Sequence, residues 1–254
     1  MPFPIEAQGV FVRFGVDPVL LDINLRVAPG ETVCLLGPSG SGKSTLLKCL
    51  AGLAGPTLGR ILYDTVDIYQ SSEKKYLKLQ KKTGYVFQDG ALLANLSVFE
   101  NIALPLRYHG KPDEETLKHK VETAALPFLL TNRLHLRPEA LSGVAKRLAG
   151  FARSLIMDPE VLFIDDPTWG LDQVTAETVV RILKEKIATS GMSTIYTSGD
   201  INAARLADRV ILLYDGSMVG QGRLDEIMET DDPFLRRILV SIEQPHGDCG
   251  GIQA

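Results

Sequence analysis

Apolar and polar positions partly alternate from Val10 to Val27, with the turn residues Gly15, Asp17 and Pro18 in the middle. A period of two turns one face of an extended chain inward, so this stretch is expected to form an antiparallel hairpin. After Pro29-Gly30 comes a short apolar run, Thr32-Val33-Cys34-Leu35-Leu36, stopped by glycine, the pattern of a buried strand. Lys43 to Leu53 is rich in helix formers and ends at Gly55-Pro56, which predicts a helix. From about Asp89 to Glu139 helical stretches are broken at Pro105, Gly110-Lys111-Pro112 and Pro138, without a convincing strand. This segment reads as a helical insertion.

Beyond it the pattern predicts a helix opened by Ser142, a strand Val161-Leu162-Phe163-Ile164 and a helix from about Val174 to Ala188. Strands follow at Thr194 to Thr197 and Val210 to Tyr214, then an amphipathic stretch from Asp232 to Glu243. Strands alternating with helices imply an α/β fold with a mostly parallel sheet covered on both faces, preceded by a small antiparallel β subdomain. The expected organisation is a single domain over residues 1–245, a helical subdomain inserted at about 89–158, and a flexible tail at 246–254.

Composition narrows the function classes. The 254 residues, 45% hydrophobic and 23% charged, are those of an ordinary globular chain long enough to bury a substantial core. A net charge of −4 gives no general reason to bind nucleic acid or an anionic lipid surface, so any anion site must be local. Cys34, Cys49 and Cys249 lack metal-ligand spacing and are expected to be buried or free thiols in a reducing cytosol. The opening Met1-Pro2-Phe3-Pro4 has no basic or apolar leader region, and no apolar run approaches the roughly 20 residues of a spanning helix.

The strongest chemical signal is Gly37-Pro38-Ser39-Gly40-Ser41-Gly42-Lys43-Ser44, with Thr45 following, between a predicted strand and a predicted helix. It fits G-x-x-x-x-G-K-[ST] in the context that pattern requires. The glycines let backbone N–H groups point inward around phosphates, and the helix presents its positive end to them. Lys43 is expected to bridge β- and γ-phosphates, and Ser44 to ligate Mg²⁺. Val161 to Ile164 delivers Asp165 to a strand end, where a carboxylate holds Mg²⁺ through water.

These residues, with others in matching order and spacing, resemble the nucleotide-binding domain of ABC transporters over nearly the whole chain. The resemblance implies a P-loop NTPase core with a helical subdomain, binding ATP and Mg²⁺, closing head-to-tail on a second copy or another ABC ATPase, and serving an integral-membrane permease from the cytoplasmic face of the inner membrane. Nucleic acid is not among the implied partners. Phe14 lies where the family stacks an aromatic on adenine, although packing serves equally well as a reading. Gln88 resembles the glutamine that reaches Mg²⁺ and the attacking water. Leu141-Ser142-Gly143 resembles the start of the signature that caps the opposite subunit's γ-phosphate, and Gly170-Leu171-Asp172 the loop at the dimer interface. Phe87 to Leu92, Val98 to Arg107 and Asp232 to Leu239 are similar to the ATPases of Mla and Mce phospholipid-trafficking systems.

Three departures bear on catalysis. Asp166 stands where the family has its catalytic glutamate, and a missing methylene withdraws the carboxylate by roughly 1.5 Å. Gly199 stands where the family has a histidine facing the γ-phosphate. Val144-Ala145 replaces a glycine and a polar residue in the signature. The expectation is an ATPase with slow hydrolysis, or a regulatory subunit that binds ATP without driving transport.

Overall fold

The computed structural model describes residues 2–110 and 112–243, so the expected tail and Cys249 lie outside the described residues. Strands β1 (Ile5–Phe14) and β2 (Asp17–Val27) form the expected hairpin, and β4 (Leu58–Tyr63) and β5 (Val66–Asp67) extend it in the order β2-β1-β4-β5. The second sheet has the order β10-β9-β3-β8-β7-β6, built from β3 (Thr32–Leu36), β6 (Thr83–Val86), β7 (Val161–Ile164), β8 (Ser193–Ser198), β9 (Arg209–Tyr214) and β10 (Ser217–Gly222). Every neighbouring pair in it is parallel except β9 with β10. The C-terminal ends of β3, β6, β7 and β8 therefore open onto one edge, where ligands of such sheets are bound.

Alternation within the buried strands divides the core into two layers. Val33 and Leu35 of β3, with Val161 and Phe163 of β7, face the antiparallel sheet and helix α1 (Lys43–Leu50). Cys34, Leu36, Leu162 and Ile164 face the opposite layer, which holds α5 (Gly143–Leu155) and α6 (Gln173–Ser190). Strands apolar on both faces are what a sheet covered on both sides requires.

Between β6 and β7 the described residues contain only helix and turn. Helix α3 (Val98–His109) opens with a reciprocal cap: Ser97 Oγ accepts from Glu100 N at 3.2 Å and Ser97 N donates to Glu100 Oε2 at 2.7 Å. The break expected at Pro105 does not occur, and α3 runs through it. Losing one backbone N–H is tolerated because Val98, Ile102, Ala103 and Leu106 are buried on both sides of the proline. Helix α4 (Glu114–Ala125) follows, and Pro138 opens a single 3₁₀ turn.

Other expectations shift at their ends. Helix α1 stops at Leu50 rather than Leu53, because the Leu53 amide reaches back to Lys48 O at 2.9 Å. Helix α2 (Glu73–Gln80) and strands β4, β5, β6 and β10 were not expected from the pattern. The chain closes with α7 (Ile201–Ala204), α8 (Leu224–Met228) and α9 (Pro233–Glu243).

Candidate nucleotide site

The loop after β3 is shaped by its glycines. Gly42 has φ 96°, and a Cβ there would lie 2.7 Å from Leu20 Cδ2 and 2.9 Å from Val19 O, so only glycine fits. The turn leaves the first-turn amides of Lys43, Ser44 and Thr45 with no carbonyl one turn back, at the positive end of α1. Lys43 Nζ donates to Gly37 O and Pro38 O, both at 2.7 Å, which holds the ammonium within the loop. Burial pulls Lys43 below the usual lysine range, opposed by the charges of Asp166 and Asp165. Ser41 is buried and its Oγ has no hydrogen-bond partner, whereas Ser39 and Gly40 are exposed. Free amides, an ammonium and an orphaned hydroxyl form a cradle suited to a polyphosphate.

Beside the cradle, Asp165 Oδ1 accepts from Ser44 Oγ and from Thr197 Oγ1, each at 2.8 Å. The donor set consists of hard oxygens, which fits Mg²⁺. Thr197 comes from the end of β8 and was not singled out from the sequence, which pointed to its neighbour Gly199.

Asp166 has φ 53° and its carboxylate is occupied locally. Oδ1 accepts from Trp169 N at 3.1 Å, Thr168 N at 3.3 Å and Thr168 Oγ1 at 3.4 Å. The side chain thus caps its own turn. Burial raises Asp166 above the usual aspartate range, against the Thr168 amide and the Arg147 charge. A Cβ at Gly199 would lie 3.9 Å from Gly37 O, so this position borders the phosphate loop and has room for a side chain.

Gln88 follows β6 and is held by its backbone: Gln88 O accepts from Arg147 Nη1 at 2.6 Å. Arg147 also donates to Trp169 O at 2.8 Å and Asp165 O at 3.4 Å, and it is 2% exposed. The sequence reading passed over this arginine. Its signal was a cation five residues after Ser142, among the small and apolar residues Ala145, Ala149, Gly150 and Phe151 that the helix buries.

The remaining candidates stand at the rim. Ser142 caps α5, its Oγ accepting from Ala145 N at 3.2 Å, and Gly143 is exposed. Ala145 is 2% exposed and Val144 half-buried, so the alanine is taken up by core packing while the valine keeps partial access to solvent. Asp172 caps α6 through Thr175 N at 3.0 Å and Thr175 Oγ1 at 2.7 Å, bonds that lower its pKa. Phe14 is 63% exposed at the end of β1, on the hairpin whose second strand abuts Gly42. Lys43, Ser44, Asp165, Asp166 and the Gln88 loop thus come together, whereas Ser142 and Asp172 bond only within their own helix starts.

A mostly parallel sheet with this loop at the end of β3, an aspartate at the end of β7 one strand beyond its neighbour, and a helical insertion defines the P-loop nucleoside triphosphatase class. Within it, residues 20–169 match the ABC transporter family. The chain belongs to that family. It is 34% identical over 241 residues to the probable ribonucleotide transport ATP-binding protein mkl of Mycobacterium tuberculosis, covering 94% of this chain and 67% of the relative. It is 31% identical over 239 residues to the intermembrane phospholipid transport system ATP-binding protein MlaF of Escherichia coli, covering 94% and 89%. Among solved structures, the dimeric ATP-binding cassette MJ0796, in a post-hydrolysis state bound to ADP and Pi, superposes with a TM-score of 0.81. The identity is 31%, over 87% of this chain and 98% of that one.

Proposed function

We propose that this chain is the ATP-binding subunit of an ABC transporter of the phospholipid-trafficking type, coupling ATP binding and slow hydrolysis to a membrane permease. The observation that carries it is the phosphate cradle between Gly37 and Thr45 with the Ser44 and Asp165 oxygens 2.8 Å apart at its edge. The loop amides and Lys43 bind the triphosphate, and Phe14 offers an exposed ring to adenine. Ser44 and Asp165 would hold Mg²⁺, which when bound neutralises charge on the β- and γ-phosphates. Gln88 orients the attacking water and Asp166 accepts its proton.

Slow turnover follows from the positions around this site. The Asp166 carboxylate is short and tied to Thr168 and Trp169, and Gly199 offers no imidazole. These same bonds favour a second reading, a regulatory subunit in which ATP holds subunits together.

The domain is taken to span 1–245, with its helical subdomain at 89–158. Trp169 and Val174, 53% and 73% exposed on either side of Asp172, support a surface covered by a second ATPase subunit, identical or not, contributing Ser142 and Gly143 in trans. An open groove of about 480 Å³, lined by Phe87, Leu93, Leu104, Pro105, Tyr108 and Met157 among others, fits an apolar element of the permease. No described helix is long and apolar enough to cross a membrane, in keeping with peripheral attachment at the cytoplasmic face of the inner membrane. The MlaF likeness supports a phospholipid cargo.

Purified wild-type protein should bind Mg-ATP, and Lys43→Ala should lose both binding and turnover. Isolation of the native complex should recover a permease with bound phospholipid. A folded wild type without affinity for ATP refutes the assignment, and a complex carrying no lipid refutes the cargo.

A further inference from the structure

Helix α5 grips the segment from Tyr85 to Ala91 along one face. Arg147 Nη1 reaches Gln88 O, Arg153 donates to Gly90 O and Ala91 O, both at 2.8 Å, and Ser154 Oγ donates to Tyr85 O at 2.6 Å. Between the arginines, Gly90 and Gly150 pack backbone to backbone: a Cβ on Gly150 would lie 2.9 Å from Gly90 Cα. Of these grips only Arg147 also reaches other parts of the chain, namely the end of β7 at Asp165 and the following loop at Trp169.

All of Arg147's hydrogen bonds go to backbone carbonyls, so its charge stands beside Asp165 and Asp166 without occupying their carboxylate oxygens. A buried guanidinium is costly unless its donors find partners, and here carbonyls from three separate segments accept from its two Nη groups. Its Nε is buried with no partner, so the group has no reserve of bonds. The same Nη1 donates to both Gln88 O and Trp169 O, so the two loops share one anchoring nitrogen.

We propose that Arg147 is a positioning residue that joins the Gln88 loop, the Asp165 strand end and the Trp169 loop into one unit, so that engagement of Mg-ATP is transmitted to the loop preceding Asp172. The inference rests on the nucleotide reading above and adds a route from the metal edge of the site to the exposed Trp169. The planar fork is what the role requires, because a lysine supplies the charge but not two aligned donors.

Trp169 is the chain's single tryptophan, so its emission reports this loop directly. The full chain is titrated with ATP in Mg²⁺ and in EDTA, following Trp169 emission, affinity for a fluorescent ATP analogue, and phosphate release. In the wild type, Mg-ATP shifts the emission and ATP in EDTA does not. Arg147→Lys and Arg147→Gln should keep wild-type affinity in EDTA. Both should lose the emission shift and drop about 10- to 100-fold in turnover, the usual cost of removing an outer-shell partner.

A wild-type emission response and wild-type turnover in either variant overturn the proposal. So does an equal loss of affinity with and without Mg²⁺, the mark of a purely structural role. If neither variant folds, the wild type decides alone, since bound Mg-ATP with a silent Trp169 is fatal to the proposal. Absence of any ATP binding would sink the nucleotide reading, and this inference with it.

Discussion

Replacing Asp166 by glutamate should move activity and stability in opposite directions. The longer side chain advances the carboxylate by roughly 1.5 Å. Misplacement on the order of 1 Å can cost about a hundredfold in rate, so Asp166→Glu should raise turnover by roughly 10- to 100-fold. The aspartate, however, closes its own turn through contacts of 3.1, 3.3 and 3.4 Å to Trp169 N, Thr168 N and Thr168 Oγ1. Contacts this long have a net value toward the low end, about 1–2 kcal/mol for the set. Asp166 also sits at φ 53°, a conformation that aspartate adopts more readily than glutamate. At about 2–4 °C per kcal/mol for a chain of this size, thermal unfolding should begin roughly 2–8 °C earlier. Phosphate release at saturating Mg-ATP and a calorimetric scan of the same preparation test both halves. A folded Asp166→Glu protein whose turnover is unchanged or lower would refute the claim that carboxylate reach limits hydrolysis. A raised melting temperature would refute the turn-capping role.

Other substitutions probe the same edge of the sheet. Gly199→His, whose Cβ would meet Gly37 O at an ordinary contact distance of 3.9 Å, should further raise turnover in the Asp166→Glu background without a loss of melting temperature. Gly42→Ala, meeting Leu20 Cδ2 and Val19 O at 2.7 and 2.9 Å, should abolish ATP binding measured by calorimetric titration and lower stability by about 1–3 kcal/mol. Because burial raises the folded pKa of Asp166, its contribution to stability is fully present at acid pH and is lost as pH rises through that value. Urea melts should therefore show Asp166→Asn gaining on the wild type between acid and neutral pH. Burial also lifts the Cys49 thiol to about 11 and Cys34 higher still, so a Cys249→Ser variant should release no colour from a disulfide reagent until it is unfolded.

The phosphate loop was legible because its chemistry is local: a short run of glycines, lysine and serine must sit between a strand and a helix to work at all. The hairpin and the buried strands β3 and β7 were legible for a similar reason, since their burial is written as period or unbroken apolarity. Strands β4 and β5 were not. Strand β5 has two residues, β4 pairs with β1 and β5 with β4, and Leu58, Gly59 and Arg60 are exposed, so no sustained alternation marks them. Strand β10, ending in Gly220-Gln221-Gly222, is an edge strand ordered by its neighbour β9. Proline at 105 misled because the helix is stabilised by packing on both sides of it, a tertiary effect without a local signature. The sequence reading found Asp165 and Asp166 but not Arg147 or Thr197. Chain order carries no record of which distant side chain will bond a backbone carbonyl or share a carboxylate oxygen.

The bare contact between Gly90 and Gly150 has a mechanical consequence. Two main chains that touch with no side chain between them have no cushion that could be compressed or rotated to absorb relative sliding. A displacement of α5 is then passed to the residues after Phe87 with little slack, like a crank keyed to its shaft. A single added methyl at Gly150 would come within 2.9 Å of Gly90 Cα and force the two main chains apart at that joint.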